Sequence, residues 1–209
     1  MPAGVHPVLF AAATNDMKSQ FFQESILAHR YLDGLTGLEI GESAHNAFGL
    51  NTRNVDFTDS LDTVFKRAEI EFCGVAARVD IVAGGDSLPL PDKSVDFVIS
   101  SHVIEHFFDP IKALLEWARV ARKYIFVICP QRDALPCDAK LPVTPLGELW
   151  ERHHGILPSP EIDTHAHYTR WTCESFVLMC SSLGMHVVES QDPDDKVGNG
   201  FSVVIDLMP

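Results

Sequence analysis

The chain has 209 residues, of which 46% are hydrophobic and 22% charged, and its formal net charge at pH 7 is −13. This length suffices for one domain with a full core and is short for two. The acidic balance argues against nucleic acid as a partner, because a phosphate-binding surface needs clustered Lys and Arg.

The sequence predicts neither a membrane segment nor an exported protein. No apolar run is long enough to span a bilayer, and no basic flank precedes the short apolar patch near the amino terminus. Five cysteines, none in a Cys-x-x-Cys pair, favour reduced thiols over a disulfide frame. We therefore expect a cytoplasmic protein that does not bind membranes.

Strands and helices alternate along the first half of the chain. Asp16 can cap a leading helix over residues 16–33, and Gly34 can end it. Apolar runs bounded by turn residues predict strands at 37–40, 53–57, 78–82 and 95–100, with a short helix at 58–67. Strands that alternate with helices indicate a parallel sheet.

The second half ends differently. Asp109 and Pro110 start a helix, residues 124–129 form a buried strand, and Thr172 caps a helix that Gly184 closes. Strands at 186–190 and 201–207 are joined by a turn-rich segment, which predicts an antiparallel hairpin. We expect a single α/β domain over residues 1–209 with a Rossmann-like, open and mainly parallel sheet. An insertion at about 130–171, rich in Pro, His and acidic residues, is expected to cover the sheet's carboxyl edge.

One stretch carries a family resemblance. It reads Asp86-Ser87-Leu88-Pro89-Leu90-Pro91-Asp92-Lys93-Ser94-Val95-Asp96, followed by Val103-Ile104-Glu105-His106. This resembles class I S-adenosylmethionine (SAM)-dependent methyltransferases of the type 11 kind. The resemblance implies a seven-stranded sheet ending in an antiparallel hairpin. It also implies methyl transfer from SAM to a small-molecule acceptor, such as a sugar or a secondary metabolite.

The segment Leu38-Glu39-Ile40-Gly41-Glu42-Ser43 resembles the glycine turn of that family, which places Glu39, Gly41 and Ser43 beside the cofactor. Ser43 replaces the family's second glycine, which allows close backbone approach. Only residues 42–52 remain for the crossover to the next strand, which normally takes about a dozen residues or more. We expect the family's first crossover helix to be very short or replaced by a loop.

Two strand-end carboxylates are candidates for the rest of the cofactor. Asp56 ends the second strand, where a carboxylate can accept from both ribose hydroxyls; a solvated strand-end Asp is the alternative. The resemblance implies that Asp86 accepts a hydrogen bond from the adenine amino group, with Ser87 and Leu88 beside it. Ser101 also borders the expected cofactor site.

Histidines at the end of the fourth strand are candidates for proton removal. His106 and His102 are the first candidates for a general base, and His165 and His167 come next. The run from His102 to His106 also matches the H-x-x-E-H zinc signature, which needs a helix with both histidines on one face. A strand-to-helix turn is predicted here instead, so a zinc hydrolase is a remote alternative and no metal is expected.

The end of the insertion crowds Tyr168, Arg170 and Trp171 together, and an aromatic and cationic rim around an acceptor pocket is the preferred interpretation. A merely structural loop is the alternative. The altered glycine turn keeps a second class of function open, a SAM-binding module that senses or docks without catalysis. The sequence says nothing of the oligomeric state.

Overall fold

The structure is a computed structural model that describes residues 21–136 and 138–208. Within these residues the chain forms seven strands and five α-helices. The strands are β1 Gly37–Ile40, β2 Thr52–Asp56, β3 Ile81–Val82, β4 Val95–Ser101, β5 Ala121–Pro130, β6 His186–Gln191 and β7 Gly200–Asp206. The helices are α1 Ile26–Leu32, α2 Val64–Cys73, α3 Pro110–Val120, α4 Leu146–His153 and α5 Cys173–Ser182.

The strands form one sheet in the order β3-β2-β1-β4-β5-β7-β6. The first five strands pair in parallel, whereas β7 runs antiparallel to both β5 and β6. This confirms the predicted mainly parallel sheet with a carboxyl-terminal antiparallel hairpin. Because Ile40 is in register with Val55 and Ser100, the carboxyl ends of β1, β2 and β4 meet at one edge. Open α/β sheets bind their ligands at that edge.

Helices cover both faces of the sheet. On one face, apolar side chains of α3, α4 and α5 pack against the strands around the fully buried Trp117. On the other face, Leu27 and Leu32 of α1 pack against Phe97 and Phe126. Strands buried on both faces explain the near-continuous apolar runs in the sequence. No helix of the described residues is long and apolar enough to cross a membrane.

Two helix boundaries differ from the prediction. The leading helix begins at Ile26, where the Ser25 hydroxyl accepts from the Ala28 amide, and the predicted cap Asp16 lies outside the described residues. The helix predicted at 58–67 instead spans Val64–Cys73. Its true cap is Thr63, whose side chain accepts from the Lys66 amide. Side-chain caps thus decided both starts.

The first crossover, between β1 and β2, has a single 3₁₀ turn at Ala44–Asn46, as the short spacing predicted. Side chains from neighbouring elements hold it. A Glu69 carboxylate oxygen on α2 accepts the amides of Ala44 at 2.5 Å and Ala77 at 2.7 Å. The Asn54 side chain on β2 accepts the amide of Glu42 at 3.1 Å. The shortened connection is therefore ordered by hydrogen bonds that a helix would otherwise supply internally.

Candidate active site

The turn after β1 demands glycine at its first position. Gly41 has a φ of +71°, and a Cβ there would lie 2.9 Å from Cγ2 of Val103. Ser43, in contrast, has extended torsions of −125° and 137° that any residue adopts. Its hydroxyl bonds Nδ1 of His45 at 2.8 Å. The serine is therefore accommodated without backbone strain.

Asp56 lies at the carboxyl end of β2, as predicted, beside a buried lysine. Its Oδ1 accepts the Phe57 amide at 2.8 Å, and its Oδ2 is 3.7 Å from Nζ of Lys66. The same Nζ lies 3.1 Å from Oε2 of Glu69. Burial raises the pKa of the Asp56 carboxyl above its ordinary value, although Lys66 opposes the shift. A carboxylate has about four acceptor positions, so Asp56 retains room for a diol.

Asp86 lies beyond β3 at the same edge. Its Oδ2 accepts from Nζ of Lys112, at the start of α3, at 2.8 Å. The amide of Ser87 donates to the Gly84 carbonyl, and the amide of Leu88 donates to Glu116. Leu88 is itself a core residue, only 5% exposed. The Asp86 side chain is partly exposed, whereas the two backbone amides beside it are already bonded within the protein.

Glu39 is buried within β1 behind the glycine turn. Burial, together with the charge of Glu42, raises the pKa of Glu39 to about 8, despite the opposing charge of Lys196 and a hydrogen bond with Thr52. Its carboxyl group is thus protonated at neutral pH. The residue is 4% exposed and lies two positions before Gly41.

A chain of hydrogen bonds closes the end of β4. The Asn46 amide group donates to the Ser101 hydroxyl at 3.1 Å, which lies 3.1 Å from Nδ1 of His102. The other ring nitrogen of His102 donates to Oδ1 of Asn199 at 3.0 Å. Both nitrogens of His102 are thus occupied. With Nε2 donating, Nδ1 is the acceptor nitrogen, and it is already engaged with the Ser101 hydroxyl.

His106 is arranged differently, on a 3₁₀ turn at Ile104–His106. Its Nδ1 donates to the Ala166 carbonyl at 3.1 Å, because a carbonyl only accepts. Its Nε2 therefore carries a lone pair. Burial, reinforced by His167, lowers the pKa of His106 to about 4, so the ring is neutral at pH 7. Of the two first candidates, His106 therefore has a basic nitrogen without a hydrogen bond to the described residues, whereas that of His102 is engaged with Ser101.

The carboxyl group of Glu105 is enclosed between His106 and the insertion. The residue is 1% exposed, and its Oε1 lies 3.9 Å from Nε2 of His106. Its Oε2 has no hydrogen-bond partner within residues 21–136 and 138–208. Burial raises the pKa of Glu105 to about 8. The backbone carbonyl of Glu105 accepts the amides of Tyr168 and Thr169, which attaches the insertion to this turn.

The insertion brings two further histidines to the edge. His167 donates from Nδ1 to the buried Asp138 carboxylate, and its ring stacks edge-on with that of His106 at 4.8 Å between centroids. His165 is more exposed and bonds Asp163, with its ring 5.0 Å from that of Phe65. His167 therefore joins the His106 cluster, and His165 lies at its rim.

The three predicted acceptor residues have different surroundings. Trp171 is 1% exposed, packs on Phe176 and donates to Thr169, so it is a core residue; the rim interpretation is wrong for it. Arg170 donates from its guanidinium to the Pro142 and His167 carbonyls, which ties the insertion to itself. Tyr168 stacks on Phe108 and remains half-buried near the edge.

Residues His102 to His106, which match the H-x-x-E-H signature, do not form the helix of a zinc hydrolase. His102 has a left-handed φ of +57° at the end of β4, and a 3₁₀ turn of only three residues, Ile104–His106, follows. A peptidase signature requires a continuous helix that presents both histidines on one face. The two histidines here have separate hydrogen-bond partners, Asn199 for His102 and Ala166 for His106.

Several site residues had not been predicted. Lys66 pairs with Asp56, Asp138 orients His167, and Asn199 orients His102. Asn199 belongs to the turn-rich segment before β7, which reaches back across the edge. Only the acidic richness of the insertion hinted at Asp138. The other partners depend on sheet order, which no local pattern reveals.

A shallow groove also lies between α5 and β6, lined in part by Cys173, Val177, Ser181 and Asp192. It opens onto the antiparallel side of the sheet, and the glycine turn, the strand-end acids and the histidine cluster all lie elsewhere. We regard the carboxyl edge as the functional site, because the polar and titratable side chains converge there.

The residues at the edge fit SAM. Gly41 provides a turn that a side chain would block, and two carboxylates with accessible oxygens end adjacent strands. Such acids suit the ribose hydroxyls and the adenine amino group. The lysine beside each acid occupies only part of its acceptor capacity.

Comparison with known proteins agrees with this geometry. Residues 34–128 match the family model described as a methyltransferase domain of type 11. No curated protein is significantly similar to the sequence.

Solved structures share the fold. A SAM-dependent methyltransferase from Aquifex aeolicus is 17% identical, with a TM-score of 0.51 over 87% of each chain. A possible histamine N-methyltransferase from Thermotoga maritima is 20% identical, with a TM-score of 0.50 over 86% of this chain and 91% of that one. A complex of the Haloferax volcanii Trm112 methyltransferase activator with a putative methyltransferase contains a chain that is 17% identical, with a TM-score of 0.52 over 85% of this chain and 84% of that one. At these identities the likeness establishes the fold. The family match over residues 34–128, with the glycine turn and sheet order, supports a class I SAM-dependent methyltransferase with SAM as its cofactor.

Proposed function

We propose that the chain transfers the methyl group of SAM to a small molecule, such as a sugar or a secondary metabolite, held between the end of β4 and the insertion. The observation that carries this proposal is the order of groups along the carboxyl edge. The strand-end acids lie on one side of the Gly41 turn, at β2 and β3, and the histidine cluster lies on the other, at β4.

This order separates cofactor from acceptor. Asp56 would accept from the ribose diol and Asp86 from the adenine amino group, with the glycine turn against the amino acid end. When bound, SAM supplies an electrophilic methyl carbon on a sulfonium that is already a good leaving group. The protein then has mainly to align the acceptor with that carbon, and such positioning contributes at most about 7–11 kcal/mol.

An oxygen acceptor also has to lose a proton. His106 is the best-supported base, because Nδ1 is held by the Ala166 carbonyl and Nε2 is free. A pKa of about 4 makes the neutral ring a weak base, so it suits an acceptor whose proton is already labile. His167 is the second candidate, since Asp138 orients it in the same way. His102 and His165 follow.

A small acceptor is favoured by the cover over the edge. Residues of the insertion contact the 3₁₀ turn and the start of α3, including His153 bonded to Asp109 and Arg152 bonded to Phe108. The His106 side chain is thereby only 20% exposed, which favours a small acceptor over a macromolecular surface. The net charge of −13 disfavours nucleic acid.

We further infer a cytoplasmic location, because every cysteine that the described residues contain is a free thiol.

The test has two stages. Calorimetry with SAM and with its demethylated product first asks whether the edge binds the cofactor. Turnover, followed as formation of the demethylated product, is then measured against a panel of sugars and hydroxylated metabolites. Binding and turnover with a member of the panel would support the proposal. Binding with turnover only on a protein or nucleic acid would refute the small-molecule acceptor.

A non-catalytic SAM sensor is the alternative function. The serine at the second glycine position and the reduced first crossover are the features that favour it. A sensor would bind SAM and its demethylated product without turnover on any acceptor. The accommodated Ser43 and the free Nε2 of His106 favour catalysis instead.

A further inference from the structure

Three potential metal ligands converge beside the end of β4. One ligand atom each of Glu105, His106 and His167 lies within 4.8 Å of the others. Glu105 and His106 share the 3₁₀ turn, and His167 comes from the insertion, 61 residues after His106 in sequence. A modest contraction of this set would match coordination, because ligands bound at about 2.0–2.2 Å lie roughly 3–3.5 Å apart.

The outer contacts of both histidines are those of metal ligands. A ligating histidine normally donates its second ring N–H to a carbonyl or carboxylate, which fixes the tautomer. His106 donates from Nδ1 to the Ala166 carbonyl at 3.1 Å, and His167 donates from Nδ1 to the Asp138 carboxylate. Both Nε2 atoms are thereby left as lone-pair donors.

The Glu105 carboxyl group supplies an independent observation. The residue is 1% exposed, and its Oε2 has no hydrogen-bond partner in the part of the chain that the structure describes. An unpartnered buried polar atom destabilises the folded protein. A cation bound between this carboxylate and the two imidazoles would satisfy it.

We propose that Glu105, His106 and His167 form a binding site for a divalent transition-metal ion such as Zn²⁺. Two imidazoles and one carboxylate suit Zn²⁺ and its first-row neighbours, whereas Mg²⁺ and Ca²⁺ prefer oxygen ligands. Three protein ligands leave a position open for a small molecule. The proposal departs from the expectation, drawn from sequence, that the chain binds no metal.

The site is preorganised by the same contacts that attach the insertion. The Glu105 carbonyl accepts the amides of Tyr168 at 2.8 Å and Thr169 at 3.2 Å, which fixes the segment after His167 against the 3₁₀ turn. His106 and His167 retain 20% and 14% exposure of their side chains, so the cluster is not sealed from solvent. Little chain has to be ordered on binding.

What the ion does in catalysis rests on the proposed function. An acceptor hydroxyl at the open position would become more acidic. A ligated His106 could not also act as the base, since its single free lone pair would be committed. Metal binding itself does not depend on methyl transfer, and the two can be tested separately.

The experiment uses the full chain without an affinity tag, stripped with a chelator and then titrated with Zn²⁺ against a chromophoric competitor. About one equivalent should bind with high affinity. Co²⁺ in its place should give visible d–d absorption typical of low coordination number. SAM binding is measured by calorimetry on the same samples.

Glu105→Gln and His167→Gln should each lower the Zn²⁺ affinity by at least about a hundredfold, and Asp138→Asn by about 10- to 100-fold. His165→Gln is the matched control, because it removes a neighbouring histidine outside the cluster and should change affinity less than about twofold. Thermal unfolding identifies any variant that fails to fold, and the two ligand variants are independent of each other.

Absence of stoichiometric Zn²⁺ binding, or equal losses in His165→Gln and His167→Gln, would overturn the site. Zn²⁺ binding without SAM binding would leave the site standing and refute the proposed function. SAM binding and turnover by the metal-free chain at full rate would leave the proposed function standing and remove the ion from catalysis.

Discussion

The carboxylates on the two sides of the carboxyl edge differ in whether a lysine side chain is paired with them. On the proposed cofactor side, Asp56 lies beside Lys66 and Asp86 bonds Lys112. On the proposed acceptor side, Glu105 lies beside two histidines and keeps one oxygen without a partner among the described residues.

The difference distinguishes acids that are already paired within the protein from a buried acid that is not. An acid paired with an internal ammonium stabilises the protein before anything binds, and it keeps spare acceptor positions for hydroxyls. A buried acid without a cation destabilises the empty protein and gains most from a bound cation. The following predictions test this contrast, from the largest expected effect to the smallest.

Removing the internal ammonium of the cofactor side should unfold the protein most readily. Lys66→Met leaves the buried Glu69 uncompensated and removes the partner of Asp56. The free energy of unfolding should fall by about 3–5 kcal/mol in urea titration. Arg67→Met is the control, because Arg67 forms only an exposed pair with Asp62 and should cost less than about 1 kcal/mol. Equal losses in the two variants would contradict the contrast.

On the proposed acceptor side, removing a histidine should lower turnover. His106→Ala should lower turnover by about a hundredfold while SAM affinity changes less than about twofold. Ala variants of His167, His102 and His165 should have smaller effects. His186→Ala, on β6 and far from the edge, serves as the control. If turnover is unchanged in all four variants of the edge, the general-base hypothesis fails.

The cofactor carboxylates should differ from each other in SAM affinity. Asp56→Ala should weaken SAM binding by about 10- to 100-fold, or roughly 1.5–3 kcal/mol, because charge-assisted bonds to the diol are lost. Asp86→Asn should weaken it less, since an amide oxygen still accepts from adenine. Calorimetry measures both, with the exposed Asp59→Ala as control. An Asp56→Ala affinity within twofold of the parent would place the ribose elsewhere.

His29, which lies outside the edge, differs from His106 because both of its ring nitrogens donate hydrogen bonds. His29 donates from Nδ1 to Asp33 at 2.7 Å and from Nε2 to the Phe48 carbonyl at 2.9 Å, which requires the charged ring. Burial disfavours the charge, but these bonds and Glu24 outweigh it, so the pKa of His29 is raised.

The sign of the pH dependence follows. Because the folded-state pKa lies above the unfolded value near 6.5, the contribution of His29 is fully present below that pH. It is lost as pH rises through the folded-state pKa. The effect should be below about 1 kcal/mol. Urea titrations of the parent and His29→Gln between pH 5 and 9 should converge at the alkaline end. A constant difference across this range would exclude the charged ring.

The fold was largely predictable because its signals are local. Apolar runs ending in polar residues marked β1 and β4, and Asp109 followed by Pro110 marked α3. The errors lay where a side-chain cap competes with several others nearby. The helix α2 begins after Thr63 and not at Thr58. Residues 58–62 form turns instead, because the side-chain hydroxyls of Thr58 and Ser60 accept the backbone amides of Ser60 and Asp62.

The candidate site was predictable only in part. Gly41, Asp56 and Asp86 follow strands, so their position at the carboxyl edge comes from the parallel sheet alone. Trp171 was misassigned because an aromatic residue next to polar neighbours looks the same whether it borders a pocket or fills a core. Only packing distinguishes the two, and here the side chain lies against Phe176.

The sequence by itself determined the alternation of strands and helices, the glycine turn, the strand-end acids and the resemblance to a methyltransferase domain. These follow from short-range periodicity and from motifs of a few residues. Only the tertiary structure decided which groups face each other. It paired Asp56 with Lys66, bonded His102 to Asn199, and brought His167 from the insertion to Glu105 and His106. Such pairings depend on sheet order and on the docking of a long loop, and both are decided by burial and hydrogen bonding between segments distant in sequence.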